Sequence, residues 1–143
     1  MSQSSTNFDV CIRGAGIVGR SLALLLAAQQ LRVALIHNPA VAPSGSGHSD
    51  IRAYALNGAA KQLLTDLRCW PEGNACTPIL KMHIQGDQGG DLTFDASQQG
   101  VEALNWMVDV PALEAKLAAA VSYQTYIEEL TEPVTAALTV ICE

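Results

Sequence analysis

Residues 8–37 read FDVCIRGAGIVGRSLALLLAAQQLRVALIH, and no other stretch limits the fold as tightly. Phe8–Ile12 is a short β-prone run that halts at Gly14, as a buried strand does before a turn. Gly14, Gly16 and Gly19 then keep the spacing G-x-G-x-x-G. Gly14 permits a tight turn, Gly16 lets a pyrophosphate approach the backbone, and Gly19 lets a helix pack close to the sheet. From Ile17 the chain is rich in Leu and Ala, good helix formers, with Ala23 and Ala27 one turn apart on the face that meets the strands. The amides and positive dipole end of that helix would point at the phosphates. LRVALIH supplies a second buried strand. Glycine triplets arise by chance in loops, but a triplet between strand and helix, inside a β-α-β unit of about thirty residues, has the context the motif requires. The prediction is an α/β chain with a Rossmann-like dinucleotide-binding fold around a central parallel sheet. Its candidate phosphate-turn residues are Gly14, Ala15, Gly16, Ile17, Val18 and Gly19. The competing reading is a glycine turn that merely packs.

Two departures stand inside this unit. Gln29-Gln30 occupy the place of a left-handed glycine, which predicts a costlier end to the helix. The second strand should finish in Asp or Glu, whose carboxylate accepts a bond from a ribose hydroxyl, yet His37 and Asn38 stand there. A neutral imidazole nitrogen or the Asn38 carbonyl can accept such a bond, so one of the two takes the ribose contact, or both are turn residues before Pro39. No Arg or Lys lies between Arg32 and Arg52, which leaves no local site for a 2′-phosphate and disfavours NADP as the first ligand.

Composition narrows the partners. The net charge is −6 over 143 residues, so there is neither a basic footprint for nucleic acid nor a polybasic patch for anionic lipid. The chain is 49% hydrophobic and 15% charged, the balance of an ordered globular protein. The longest apolar run, Ser21–Ala28, is too short to be a transmembrane segment, and MSQSSTN lacks the basic start and apolar core of a signal peptide. Residues 1–7 are expected to be a disordered tail and the protein cytoplasmic. Cys11, Cys69, Cys76 and Cys142 form no C-x-x-C pair, and His37, His48 and His83 show no ligand spacing, so neither a disulfide framework nor a metal site is expected.

Beyond the second strand, PAVAPSGSGHSD reads as an exposed loop. Leu56, Ala60, Leu63, Leu64 and Leu67 recur at helical spacing, which predicts a helix from about Asn57 to Leu67 with Trp70 at its far end. ILKMHIQ and DLTFDA flank GDQGG as a β-hairpin. In LNWMVDVPALEAKLAAAV, Pro111 suits the first turn of a helix that Asp109 would cap, with Leu113, Leu117 and Val121 as its apolar stripe. EPVTAALTVICE is strand-like. There is no internal repeat and no clear second domain, so residues 1–143 are read as one domain.

FDVCIRGAGIVGRSLALLLA, DIRAYALNGAAKQLL followed by a Trp, TPILKMHIQGDQGGDLTFDA and WMVDVPALEAKL together resemble the N-terminal part of the flavin-dependent aromatic hydroxylases. Among these the chain is most similar to the ubiquinone-biosynthesis hydroxylases related to 2-octaprenyl-6-methoxyphenol hydroxylase. The resemblance spans nearly the whole chain from Phe8 onward. It implies FAD as the nucleotide, held through its ADP half on the Gly14–Gly19 turn. It also implies NAD(P)H as electron donor and a small aromatic substrate, a polyprenyl phenol, as the ring hydroxylated. Arg52 matches the family's arginine after the first long loop and would approach the flavin's phosphates or ribityl chain; the alternative is a solvated loop arginine or a partner for Asp50. Asp109 could lie near the ribityl side or serve only as a cap. The family's later Asp-Gly and Gly-Asp motifs are absent from these 143 residues, so the fold is incomplete relative to the family and catalysis by this chain alone is doubtful. The alternative is a dinucleotide-binding module that carries no catalysis.

No catalytic acid, base or nucleophile can be named. Asp87, Asp91 and Asp95 flank the hairpin and read as solvated, and Glu128, Glu129 and Glu132 read as an exposed acidic stretch. A lipid-dwelling substrate leaves room for peripheral membrane or complex association of the full-length enzyme.

Overall fold

The computed structural model describes residues 8–37 and 50–142. The expected tail 1–7, residues 38–49, on which most of the expected loop PAVAPSGSGHSD falls, and Glu143 lie outside the described residues. The chain divides into two compact units, Met1–Ser49 with Glu114–Glu143, and Asp50–Leu113.

The first unit carries the parallel sheet. Strand β1 (Phe8–Arg13) leads through the glycine turn into helix α1 (Ile17–Ala28) and then strand β2 (Val33–Ile36), the β-α-β unit read from the sequence. Two later strands, here β8 (Ile127–Leu130) and β9 (Ala136–Ile141), complete a four-stranded sheet in the order β8-β2-β1-β9, with every pair parallel. A parallel strand covered on both faces is apolar along its whole length rather than alternately. β2 obeys this rule, with Val33, Ala34 and Leu35 each 0% exposed, while β1 buries Val10, Cys11 and Ile12. Phe8, Cys11, Ala34 and Ile36 form one buried cluster, against which Leu130, Val134 and Ala136 pack. Ala23 and Ala27 of α1 are buried, as their spacing predicted.

α1 does end at cost. Gln30 adopts φ +62°, the left-handed conformation that side chains disfavour. Its N–H bonds the Ala27 carbonyl and that of Leu31 bonds the Leu26 carbonyl, the paired closure of a Schellman motif.

In the second unit, strands β3 (Ala53–Leu56), β4 (Cys76–Ile79) and β7 (Asn105–Asp109) make an antiparallel sheet in the order β3-β7-β4. This sheet is not among the elements expected from the sequence. The expected hairpin is present, as β5 (Lys81–Gln85) paired antiparallel with β6 (Asp91–Asp95). Helix α2 (Gly58–Asp66) starts at the N-cap Asn57, whose side-chain oxygen accepts from the Ala60 N–H at 2.9 Å. A short helix α3 (Ala96–Gln99) is capped by Asp95. The last helix, α4 (Val110–Ser122), begins where the Asp109 carboxylate accepts from the Ala112 N–H at 3.1 Å, and its stripe Leu113, Leu117 and Val121 is buried. Trp70 meets Trp106 edge-on at 6.2 Å, and the Lys61 ammonium sits 4.2 Å from the centre of the Trp106 ring. The four cysteines form no disulfide with one another, and no described helix is long and apolar enough to cross a membrane.

Candidate dinucleotide-binding site

The three glycines of the turn have three different reasons to lack a side chain. Gly14 sits at φ +105°, a conformation that only glycine adopts readily, and its N–H bonds the Ile36 carbonyl at 3.1 Å, tying the turn to the end of β2. A Cβ at Gly19 would run into the Gly14 carbonyl oxygen and come within 3.4 Å of Ile12 Cγ2, so α1 lies too close to the turn for any other residue. Gly16 differs from both. Its φ of −81° suits any residue, and a Cβ built on it meets nothing within 4 Å among the described residues. Neither the backbone nor the packing requires glycine there. The open space above Gly16 is what a pyrophosphate approaching the backbone needs.

The start of α1 has the matching polarity. Gly16 is its N-cap and offers no side-chain bond, whereas Asn57, Asp95 and Asp109 each cap their helices with a side-chain oxygen. The first intrahelical bond, from Arg20 N–H to the Gly16 carbonyl, leaves the earlier amides without a helical acceptor. Arg20 in this first turn opposes the helix dipole unless an anion is near, and its buried Nε has no hydrogen-bond partner among the described residues. Val18 is 67% exposed beside the turn. A diphosphate fits these residues: free amides, room above Gly16 and a cation one turn into the helix. Arg20 is not among the expected phosphate-turn residues, yet a basic residue one place after the motif is its signal in the sequence.

At the end of β2 the structure brings together residues from distant parts of the chain. His37 follows the strand, and its N–H bonds the Leu130 carbonyl at 2.8 Å. Its ring Nε2 lies 2.7 Å from Oε1 of Glu129 on β8. The side chains are 38% and 37% exposed; Glu129 is exposed, as expected for the acidic stretch, and in addition has the imidazole as a partner. Ile12 pairs in register with Leu35, and Leu35 with Glu129. Register partners project to one face, and so does a residue two places on, which puts Ile12, Glu129 and His37 on the face that Gly19 of α1 covers. An acidic side chain therefore does reach the end of β2, from a strand ninety-two residues away in sequence. Asn38 lies outside the described residues.

Arg52 belongs to the second unit. It forms a two-pronged pair with Asp50, Nη2 to Oδ2 at 2.7 Å and Nε to Oδ1 at 3.0 Å, the local role weighed for it above. Those hydrogen bonds hold the Asp50 carboxyl down at about 2. His83 pairs with Asp91 across the β5–β6 hairpin. Among the described residues no three His, Cys, Asp or Glu side chains group as a metal site.

No protein-family profile matches the chain. It is 30% identical over 112 residues to the 3-demethoxyubiquinol 3-hydroxylase of Escherichia coli (strain K12), an alignment covering 76% of this chain and 29% of that protein. The chain thus spans under a third of the length of this curated relative. Among solved structures it resembles PqsL of Pseudomonas aeruginosa, described as a probable FAD-dependent monooxygenase, with TM-score 0.60, 19% identity, and 88% of this chain laid on 33% of that one. It also resembles p-nitrophenol 4-monooxygenase PnpA of Pseudomonas putida DLL-E4, with TM-score 0.57, 15% identity, and 86% of this chain on 30% of that one. A third is the flavin-dependent monooxygenase PieE, solved with FAD and substrate, at TM-score 0.55 and 16% identity, with 94% of this chain on 24% of that one. The α/β fold with a parallel sheet is the one these FAD-dependent monooxygenases share, and the resemblance read from the sequence motifs stands.

Proposed function

We propose that this chain, a partial member of the flavin-dependent aromatic hydroxylases, holds the ADP half of FAD on its Gly14–Gly19 turn and serves the hydroxylation of an aromatic ring. The observation that carries the reading is Gly16, a glycine that neither conformation nor packing requires, at the uncapped start of α1. Ala15, Ile17 and Val18 complete the turn. Backbone amides from Ile17 to Gly19 donate to the diphosphate, and Arg20 adds a fixed positive charge. His37 or Asn38 receives the adenosine ribose. Arg52, which the family resemblance puts forward for the flavin's phosphates or ribityl chain, is the cation that this reading assigns to the flavin side.

Once reduced by NAD(P)H, a bound flavin supplies the oxygen-activating and ring-hydroxylating chemistry. What this chain's residues do is bind and orient. The substrate class that the sequence relative suggests is a polyprenyl phenol of ubiquinone biosynthesis, because the matched enzyme is named for a ubiquinol ring.

Visible absorption of the purified chain after incubation with FAD and desalting tests the reading. A retained flavin spectrum that Gly16→Val abolishes without unfolding the protein is the expected result. Equal retention by Gly16→Val would overturn it. NADH- or NADPH-dependent bleaching of the bound flavin separates a hydroxylase from a module that holds the dinucleotide without turning it over.

A further inference from the structure

We infer that Glu129 is a positioning residue for nucleotide recognition: it fixes the His37 imidazole in the tautomer that accepts the 2′-hydroxyl of an adenosine ribose. The inference rests on the dinucleotide reading above and adds a residue and a specificity to it.

Ligands of open parallel sheets bind outside the carboxyl ends of the strands, and the ribose acceptor of a dinucleotide site stands at the end of the second strand. His37 occupies that place, and a neutral imidazole can accept through only one of its two nitrogens. Glu129 decides which. An ionised carboxylate has no proton to give, so a 2.7 Å contact between Nε2 and Oε1 requires that Nε2 carry the hydrogen and donate. In the neutral ring Nδ1 then keeps its lone pair, which suits a hydroxyl donor. The arrangement follows the logic of metal-bound histidines, where a carboxylate behind the ring orients it and sets its tautomer.

The same pair bears on which nucleotide is taken. The Glu129 carboxylate stands behind the ring from the ribose and adds a negative charge near the site, and its partner is an imidazole rather than a fixed cation that could offset a 2′-phosphate. The site thus favours the unphosphorylated ribose of FAD, NAD or ADP. A half-exposed hydrogen-bonded pair of this kind contributes little to stability, so a purely structural role gives it small effect on anything. A role in ribose recognition gives it a ligand-specific one.

Calorimetric titration of the chain with ADP and with 2′-deoxy-ADP separates the two roles. One satisfied hydrogen bond predicts that the wild-type chain prefers ADP by about fivefold to tenfold. His37→Ala and Glu129→Ala should each bring that ratio to about one while leaving 2′-deoxy-ADP affinity within about twofold, since only the hydroxyl contact is lost. Glu129→Gln should keep most of the preference, because the Gln carbonyl still accepts from Nε2. If both alanine variants retain the wild-type ratio while Gly16→Val abolishes ADP binding, the pair is only a surface contact and the dinucleotide reading survives without it. A ratio lost in His37→Ala but kept in Glu129→Ala removes the positioning role of the carboxylate. Absence of ADP binding in the wild type, or binding that Gly16→Val leaves intact, overturns both the inference and the reading beneath it.

Discussion

A methyl group added at Gly19 and one added at Gly16 probe opposite properties of the same turn. In an ordinary helix Gly→Ala gains roughly 1 kcal/mol of propensity. At Gly19 that gain is overridden, because the new Cβ collides with the backbone of Gly14, which cannot swing aside as a side-chain end could. Gly19→Ala should destabilise the chain by about 1–3 kcal/mol, seen as a lowered urea midpoint at unchanged slope. Gly16→Ala should leave that midpoint within about 0.5 kcal/mol, since the added carbon meets open space. A similar loss at both positions would mean that Gly16 is a packing glycine after all. Elsewhere, the Asp95 carboxyl is held at about 2, first by the Ser97 hydroxyl and then by Lys81 and the Ser97 amide. Its folded value lies below the ordinary 3.8, so its contribution is complete above that value and fades as pH falls through about 2. Carboxyl-carbon NMR should find Asp95 still ionised at pH 3, and Ser97→Ala should move its midpoint upward.

Helix ends explain much of what was legible at the level of elements. Asn57 and Asp109 were readable because a short polar side chain ahead of an apolar periodic run satisfies the amides of the first turn. Asn57→Ala should accordingly cost about 1 kcal/mol, measured by thermal or urea unfolding. The missing glycine after α1 was equally readable, and Gln30 at φ +62° is its consequence. Arg68 at φ +58° repeats the arrangement after α2, where the Cys69 and Trp70 amides both reach back to the Leu64 carbonyl. Gln30→Gly should raise stability by about 0.5–1 kcal/mol, because relief of the left-handed strain outweighs the added freedom of the unfolded chain. No gain in urea midpoint would show that the Gln30 side chain makes up for its own strain. Strands were harder to read than helices. β3 has exposed residues on both faces and no alternation, and β8 reads Ile-Glu-Glu-Leu, a pattern set by its neighbour β2 and invisible locally. For the same reason Glu129 could not be found from the sequence. Its meaning depends on a parallel register with Leu35, a pairing that no nearby residue specifies.

For the molecule as a whole, the parallel sheet raises a difficulty that the glycine motif alone did not predict. Parallel sheets normally have both faces covered, and β1 and β2 meet that rule. β9, at the edge beside β1, does not: Leu138 is 57% and Ile141 67% exposed on a strand whose outer backbone groups have no neighbouring strand among those described. The β5–β6 hairpin adds Ile84 at 47% and Leu92 at 53%. An exposed apolar edge is a template for pairing with another chain, and natural proteins blunt such edges with charge, lysine above all. The net charge of −6 opposes close approach at low ionic strength, and added salt screens that repulsion without weakening the apolar attraction. The chain should therefore self-associate more readily in 0.5 M salt than in 0.05 M, both concentrations chosen to bracket a Debye length of about 10 Å. Leu138→Lys should suppress that association while changing folding stability by no more than about 0.5 kcal/mol, because the side chain it replaces is already more than half in water. Light scattering against protein concentration at the two ionic strengths decides the matter. Association that Leu138→Lys leaves unaltered would move the sticky surface from the β9 edge to the hairpin, where Leu92→Lys is the corresponding change.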